Sequence, residues 1–123
     1  MTALAKHLLL ELKECDAQLL NDMEYLRKTL REIAHIIGAT IIKDDFYQFT
    51  PQGVSGLVII AESHISVHTW PEHNYAAVDV FTCGDLIEPK NAIKPMVAKL
   101  RARSSSYREI KRGLIYEGKL AVG

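Results

Sequence analysis

The sequence predicts an α+β fold, a two-layer sandwich in which two helices cover one face of a mostly antiparallel sheet. Segments with strand and helix patterns follow one another as strand, helix, several strands, helix and strand. Short turns containing Gly, Pro and Asn separate the central strands. The 123 residues, 48% of them apolar, suffice for one hydrophobic core but not for two. We therefore expect a single domain spanning residues 1–123.

The first third of the chain predicts a strand, a helix and a second strand. Residues 7–15, HLLLELKEC, mix an apolar run with partial alternation over a length that suits a strand. From Asp16 the apolar residues recur at steps of three and four, which predicts an amphipathic helix ended by Gly38. Residues 40–49 are β-branched and aromatic, and two adjacent aspartates predict a bend or bulge in this strand. The apolar helix positions are Leu19, Met23, Leu26, Leu30, Ile33 and Ile37.

Three further strands are predicted between residues 57 and 83, as LVIIAE, ISVHTW and YAAVDVFTC. The turn PQGVSG precedes the first, and Pro71 begins the break between the second and the third. Alternation in ISVHTW separates two faces of the strand. These faces carry Ile65, Val67 and Thr69 on one side and Ser66, His68 and Trp70 on the other.

The C-terminal third predicts a helix over residues 89–103 and a last strand over residues 104–112. Pro89 suits a first helical position, but Pro95 does not suit an interior one. The helix is therefore either kinked at Pro95 or begins later than Pro89 indicates.

Composition and charge exclude several classes of protein. No apolar run approaches the ~20 residues that span a bilayer, and the N-terminal residues lack a secretory pattern, so we expect a cytoplasmic protein with no membrane partner. The two cysteines, Cys15 and Cys83, cannot form a disulfide framework and lack the paired spacing of a structural zinc site. The 15 basic and 15 acidic side chains balance, which argues against a dedicated nucleic-acid binder.

A metal site is the first chemical hypothesis, because His64, His68 and His73 lie close together in the sequence. On a strand, the four-residue step from His64 to His68 separates the two side chains by ~13 Å, too far for one zinc ion. The β-branched residues between them favour the strand, so we expect no metal.

Nucleophilic catalysis is the second hypothesis. Spacing alone does not show that the candidates converge, and each residue type also has ordinary packing or hydrogen-bonding roles in strands. Ser63 and His68 are five residues apart, so an ideal strand places them on opposite faces. Their cooperation requires a break near His64 or a contact from a neighbouring chain. The candidates are Ser55, Ser63, Ser66, His68 and Cys83.

Residues 51–85, PQGVSGLVIIAESHISVHTWPEHNYAAVDVFTCGD, resemble the central signature of the prokaryotic S-adenosylmethionine decarboxylase proenzymes. The blocks ESHISVHTWPE and FTCGD carry the resemblance. It extends more weakly to HLLLELKECD near the N-terminus and to GAT at residues 38–40, and it covers most of residues 7–100.

The resemblance implies an enzyme that makes its own prosthetic group. The bond between Glu62 and Ser63 would break by self-processing into residues 1–62, the β chain, and residues 63–123, the α chain. Ser63 would become a pyruvoyl group, whose ketone accepts the electrons released when S-adenosylmethionine loses carbon dioxide. The product, decarboxylated S-adenosylmethionine, is the aminopropyl donor for spermidine and other polyamines.

The resemblance also implies roles in processing and in decarboxylation. His68 would abstract the α-proton of Ser63 during processing, and Ser55 would assist the acyl shift. Cys83 would donate the proton that ends decarboxylation, a suitable role for a thiol, which is mostly protonated at neutral pH.

Substrate contacts and assembly follow from the resemblance as well. Phe49 and Trp70 would stack on adenine, and Glu72 would hold the ribose hydroxyls. For Phe49 core packing, and for Glu72 a solvated turn, are the alternatives. Two protomers would pair as an αββα homodimer, with their sheets facing each other and the sites shared at the interface.

Several departures from the family pattern leave alternatives open. Ala5-Lys6-His7 stands where Gly-Arg-His is common, and Tyr47 in FYQF replaces a frequent histidine. Because Tyr47 lies beside Phe49, pyruvoyl-dependent decarboxylation of arginine or another basic amino acid stays open, as does an unprocessed regulatory relative. Residues 90–112, with eight Lys or Arg against one Glu, leave a nucleic-acid-binding module as a third alternative.

Overall fold

The computed structural model describes residues 2–121, which form a seven-stranded sheet with its helices on one face. The strand order is β2-β3-β4-β5-β1-β6-β7, and every pairing of neighbours is antiparallel. The predicted two-layer α+β sandwich is therefore confirmed. The strands are β1 (Thr2–Lys13), β2 (Thr40–Gln48), β3 (Val54–Ala61), β4 (Ser63–Trp70), β5 (Tyr75–Cys83), β6 (Ser104–Tyr116) and β7 (Lys119–Leu120), and the helices are α1 (Ala17–Leu20), α2 (Met23–Ile36) and α3 (Ile93–Lys99).

The core lies between the sheet and helix α2. Alternation buries one side of each central strand, and the apolar stripe of α2 packs against that side. Burial of each large apolar side chain contributes about 1.5–3 kcal/mol, so these contacts hold the helix on the sheet. The fully buried side chains include Leu8, Leu10 and Leu12 of β1, Ile65 and Val67 of β4, and Leu26, Leu30 and Ile33 of α2.

The faces predicted for β4 are confirmed. Ile65, Val67 and Thr69 are buried against the helices, whereas His68 and Trp70 are exposed on the other side of the sheet. We call that other side, on which none of the helices within residues 2–121 packs, the open face.

The single predicted helix is two helices, because two aspartates each begin one. The Asp16 carboxylate accepts hydrogen bonds from the N–H groups of Gln18 and Leu19, which caps α1. The Asp22 carboxylate accepts from the N–H of Tyr25 and caps α2. Gly38 follows α2 in the left-handed region, at φ 83°, in agreement with the predicted end.

The irregularity in β2 lies earlier than the adjacent aspartates predicted. The pairing register with β3 shifts between Ile41 and Lys43. Asp44 instead faces α2, where its carboxylate accepts hydrogen bonds from Arg27 at 3.1 Å and Arg31 at 2.7 Å. Two arginines therefore satisfy this carboxylate, and the pairing of β2 with β3 stays regular from Lys43 to Gln48.

The C-terminal helix is shorter than predicted. A 3-10 turn over Pro89–Ala92 precedes α3, so Pro95 lies in the first turn of the α-helix, where a proline removes no needed N–H donor. Of the two alternatives, the later start is correct and no kink is required. β6 then continues to Tyr116, four residues beyond the predicted end, and β1 begins at Thr2 rather than near His7. No helix within residues 2–121 combines the length and the apolar character needed to span a membrane.

Replacing Ile33 by Ala should lower the free energy of unfolding by about 2–5 kcal/mol, because its fully buried side chain leaves a cavity between α2 and the sheet. Ile36, in the same helix but 53% exposed, is the matched control, and its replacement by Ala should change stability by less than about 0.5 kcal/mol. Urea unfolding at one protein concentration, in a Ser63→Ala background that keeps a single chain, measures both. Equal losses for the two variants would contradict this packing of α2.

Candidate active site

The open face carries a serine and a histidine in direct contact. Ser55 in β3 and His68 in β4 are cross-strand partners, and Ser55 Oγ lies 2.8 Å from His68 Nδ1. The tautomer of the imidazole decides which of the two groups donates. We call these two residues the Ser55–His68 pair. The structure therefore brings together two of the predicted residues that are 13 positions apart in the sequence.

A second pair lies where β4 begins and β5 ends. Ser63 is the first residue of β4 and Cys83 is the last residue of β5. Ser63 Oγ lies 3.1 Å from Cys83 Sγ, and both residues are partly buried. The carbonyl of Glu62, in an exposed turn, accepts a hydrogen bond from the backbone N–H of Cys83 at 3.2 Å. The peptide bond before Ser63 is therefore next to a hydroxyl, a thiol and a backbone donor.

The two pairs lie toward opposite ends of β4. Ser63 and His68 are five positions apart, which corresponds to ~16 Å along an extended strand. Within one chain His68 does not reach Ser63. The five-residue step from Ser63 to His68 predicted a break or a contact from a neighbouring chain. The position of Ser63 at the strand end explains how its hydroxyl meets Cys83. It does not bring Ser63 closer to His68 of the same chain.

The predicted substrate-binding residues surround the Ser55–His68 pair. Phe49, Trp70 and Glu72 line a cavity of about 280 Å³ together with Ser55 and His68. Phe49 is 46% exposed and Trp70 is 41% exposed, so neither ring is part of the core. The core alternative for Phe49 is therefore wrong.

Tyr47 lies on the other side of the Ser55–His68 pair. It lines an adjoining cavity of about 290 Å³ with Ser55, Ser66 and His68. Its ring meets that of Phe49 edge-on, with centroids 4.9 Å apart. A larger cavity, of about 510 Å³, lies beside Cys15 and Asn74 and contains none of the predicted site residues.

A hydrogen-bonded cluster in the middle of the open face was not predicted. Asp79 Oδ1 lies 2.9 Å from His7 Nε2, and Asp79 Oδ2 accepts a hydrogen bond from Ser66 Oγ at 3.1 Å. Arg112 Nη1 lies 3.4 Å from His7 Nδ1. Alternation in β5 indicates that Asp79 shares a face with Cys83, but nothing in the sequence pairs His7 or Arg112 with it. That arrangement depends on the register of β1 against β5 and β6.

The three histidines considered for a metal site are separated. The His64 ring stacks on Phe81 with centroids 5.7 Å apart, and burial lowers the pKa of His64. His68 contacts Ser55, and His73 lies in the 3-10 turn after β4. Within residues 2–121, no three His, Cys, Asp or Glu side chains lie close enough to hold a metal ion.

Comparison with known proteins gives consistent results. The sequence profile of the family described as S-adenosylmethionine decarboxylase matches residues 6–113. The S-adenosylmethionine decarboxylase proenzyme of Clostridium tetani is 48% identical over 122 residues, which is 99% of this chain and 96% of that protein. The proenzyme of Thermodesulfovibrio yellowstonii is 47% identical over 115 residues, 94% of this chain and 85% of the relative.

A solved structure agrees with the sequence matches. The crystal structure of the adenosylmethionine decarboxylase from Aquifex aeolicus superposes with a TM-score of 0.87 at 36% identity, and the match covers 95% of this chain and 97% of that chain. The profile, the relatives and the fold together show that this chain belongs to the S-adenosylmethionine decarboxylase family.

Proposed function

We propose that this chain processes itself between Glu62 and Ser63 and decarboxylates S-adenosylmethionine with the pyruvoyl group that Ser63 provides. Its family consists of pyruvoyl-dependent decarboxylases whose prosthetic group forms from a serine by self-cleavage, and their product serves polyamine synthesis. The single observation that supports the assignment to Ser63 most directly is its contact with Cys83, beside the Glu62 carbonyl.

The first processing step is an acyl shift from nitrogen to oxygen. Ser63 Oγ attacks the Glu62 carbonyl carbon, an ester C–O bond forms, and the peptide C–N bond breaks. The hydroxyl proton is transferred to the nitrogen, which becomes the amine of residue 63. Negative charge develops on the Glu62 oxygen during the attack, and the N–H of Cys83, 3.2 Å from that oxygen, stabilises it.

The second step is an elimination. A base removes the α-proton of Ser63, the bond between its Cβ and Oγ breaks, and Glu62 leaves as a carboxylate that keeps this oxygen. Water then adds to the tautomer of the resulting dehydroalanine, and ammonia leaves to give the ketone. We assign the base to His68, whose ring Ser55 orients from 2.8 Å.

His68 acts on Ser63 only if a second copy of the chain supplies it, because ~16 Å separates the two residues along one strand. Two sheets that face each other can be related by a twofold axis that lies between them, perpendicular to the strands. With this symmetry, β4 of the second copy runs in the direction opposite to β4 of the first. The partner's His68 then lies at the end of the sheet that carries Ser63. We therefore propose an αββα homodimer with two shared sites.

The open face has the character of such an interface. Partly buried apolar side chains lie on it between the two pairs, and Ile110 beside them is 45% exposed. Covering them with a second sheet removes apolar surface from water. The partly buried residues are Leu9, Leu57, Ile59 and Phe81.

In decarboxylation, the pyruvoyl group when present supplies a ketone that accepts the electrons of the breaking carbon–carbon bond. Ser63 and Cys83 fit its position, since the thiol lies 3.1 Å from the oxygen that processing removes. Cys83 donates the proton to the substrate α-carbon. Phe49 and Trp70 hold the adenine between exposed rings, and Glu72 accepts hydrogen bonds from the ribose hydroxyls.

The remaining assignments concern compartment and partners. We propose the cytoplasm, where two free thiols, Cys15 and Cys83, stay reduced. We also propose that no nucleic acid binds to the basic segment over residues 90–112, because three of its eight cations pair with carboxylates within the fold. These pairs are Lys90 with Glu109, Lys99 with Glu32, and Arg101 with Asp16.

Wild-type protein should separate under denaturing conditions into residues 1–62 and residues 63–123, and it should release labelled carbon dioxide from S-adenosylmethionine in preference to arginine and ornithine. Ser63→Ala should stay one chain and be inactive, because it lacks the attacking hydroxyl. Ser105→Ala, an exposed serine in β6, is the control and should process normally. Intact-mass spectrometry detects the cleavage, and the carbon dioxide release assay measures the activity. An intact wild-type chain without a hydrazine-reactive carbonyl would refute self-processing.

Shared sites predict complementation between two inactive variants. When Ser63→Ala and His68→Ala chains with different tags are co-expressed, the His68→Ala chain should be cleaved, because its Ser63 meets the partner's His68. If the chains pair at random, half of the dimers contain both variants, and one of the two sites in each of these dimers is intact. The activity should therefore be about a quarter of that of wild type. Ser63→Ala with Cys83→Ala should stay inactive, since both residues come from one chain. If the co-expressed His68→Ala chain stays intact, the shared site is wrong.

The two cysteines should react at different rates. Cys15 is 3% exposed and burial raises the pKa of its thiol to about 11, so little thiolate is available to an alkylating reagent. Iodoacetamide near neutral pH should label Cys83 first and abolish decarboxylation in parallel, in wild type and in the control Cys15→Ala. Peptide mass spectrometry follows the labelling. Full activity with Cys83 completely alkylated would exclude this thiol as the proton donor.

A further inference from the structure

Trp70 is supported by a neighbour on the open face rather than by the core. It is the single tryptophan of the chain, and its side chain is 41% exposed. Its ring stacks on that of Tyr75, with centroids 5.3 Å apart and 26° between the planes. Trp70 and Tyr75 are cross-strand partners in β4 and β5, at the two sides of the connection between these strands. The position of the indole therefore depends on the position of the Tyr75 ring.

The Tyr75 ring is fixed by a strand further across the sheet. Its hydroxyl donates a hydrogen bond to the carboxylate of Glu11 in β1, the neighbour of β5. Glu11 lies opposite Ala77 of β5 and Ser106 of β6, so two ladders hold its backbone. A continuous series of contacts thus runs from Glu11 through Tyr75 to Trp70, across three adjacent strands.

The hydrogen bond persists under physiological conditions. Burial, the hydrogen bond to Glu11 and the charges of Glu11 and Asp79 together raise the pKa of Tyr75 to about 12. Tyr75 therefore stays protonated and remains a donor throughout the neutral range.

We propose that Glu11 and Tyr75 are positioning residues that orient the Trp70 indole for a nucleoside-bearing substrate. This proposal rests on the proposed function, in which Trp70 contacts the adenine. An exposed tryptophan loses rotamer freedom when a ligand stacks on it, and fixing the ring beforehand removes that loss from binding. The cavity shared by Trp70, Phe49 and Glu72 is open to such a ligand. Glu11 and Tyr75 act through Trp70 and do not line that cavity.

The expected effect is on binding rather than on chemistry. Tyr75→Phe keeps a ring for stacking but loses the hydroxyl, and Glu11→Gln keeps the size of the side chain but replaces the charged acceptor of the hydrogen bond by a weaker, neutral one. Each should raise the KM for S-adenosylmethionine about 2- to 10-fold with little change in kcat, the range expected for restoring rotamer freedom to one side chain. Tyr75→Leu, which also removes the stack, should have the largest effect.

Because Trp70 is the only tryptophan of the sequence, tryptophan fluorescence reports on the surroundings of this one side chain. Acrylamide quenching of the processed enzyme should increase in Tyr75→Phe and Glu11→Gln, and most in Tyr75→Leu. Tyr25→Phe is the matched control. It also removes a tyrosine hydroxyl that donates a hydrogen bond, to the carbonyl of Lys99 at 2.8 Å, but on the helical side of the sheet. It should change neither quenching nor KM.

The outcomes separate this proposal from the proposed function. Wild-type-like quenching and KM in both Tyr75→Phe and Glu11→Gln would overturn the positioning role, as would a loss confined to kcat. If wild type is active but S-adenosylmethionine leaves its Trp70 emission unchanged, positioning for the substrate is also overturned while decarboxylation stands. Failure of wild type to release carbon dioxide from S-adenosylmethionine instead refutes the proposed function.

Discussion

The antiparallel pairing of β4 with β3 and β5 determines where the side chains proposed for processing and for proton transfer lie. This register puts Ser55 opposite His68 and Trp70 opposite Tyr75, and it puts Ser63 at the strand end next to Cys83. Burial of Ile65 and Val67 on the core side fixes the register, because a slip of one residue would move both into solvent and His68 into the core. Packing on one face of the strand therefore specifies the chemistry available on the other.

The same sheet would hold together the two fragments of a processed chain. The cleavage proposed between Glu62 and Ser63 separates β1, β2 and β3 from the other four strands. Yet β3 pairs with β4, and β1 is inserted between β5 and β6, so three ladders join the two fragments. The charges of the two fragments are also complementary: residues 1–62 carry 6 basic and 9 acidic side chains, and residues 63–123 carry 9 and 6.

How much the sequence could predict depended on the range of each interaction. Alternation in ISVHTW correctly separated Ile65 from His68, because facing is a local property of a strand. The break between α1 and α2 was also local, since Asp22 is a typical N-cap residue, and attention to it would have divided the helix. The contacts of His7 with Asp79 and of Glu11 with Tyr75 could not be predicted from the sequence. They join residues 72 and 64 positions apart, and only the register of β1 against β5 creates them.

The motif identified Ser63, His68 and Cys83 as a group, and the five-residue step from Ser63 to His68 already required a break or a contact from a neighbouring chain; the structure adds that an uninterrupted strand separates the two residues. That separation makes the dimer part of the chemistry in our account. The most direct test is a crystal structure of the Ser63→Ala precursor, in which the distances from residue 63 to both copies of His68 can be measured. We predict that the partner's His68 lies beside residue 63, with the chain's own His68 ~16 Å away. A monomer, or a dimer in which the chain's own His68 is the nearer one, would contradict the account.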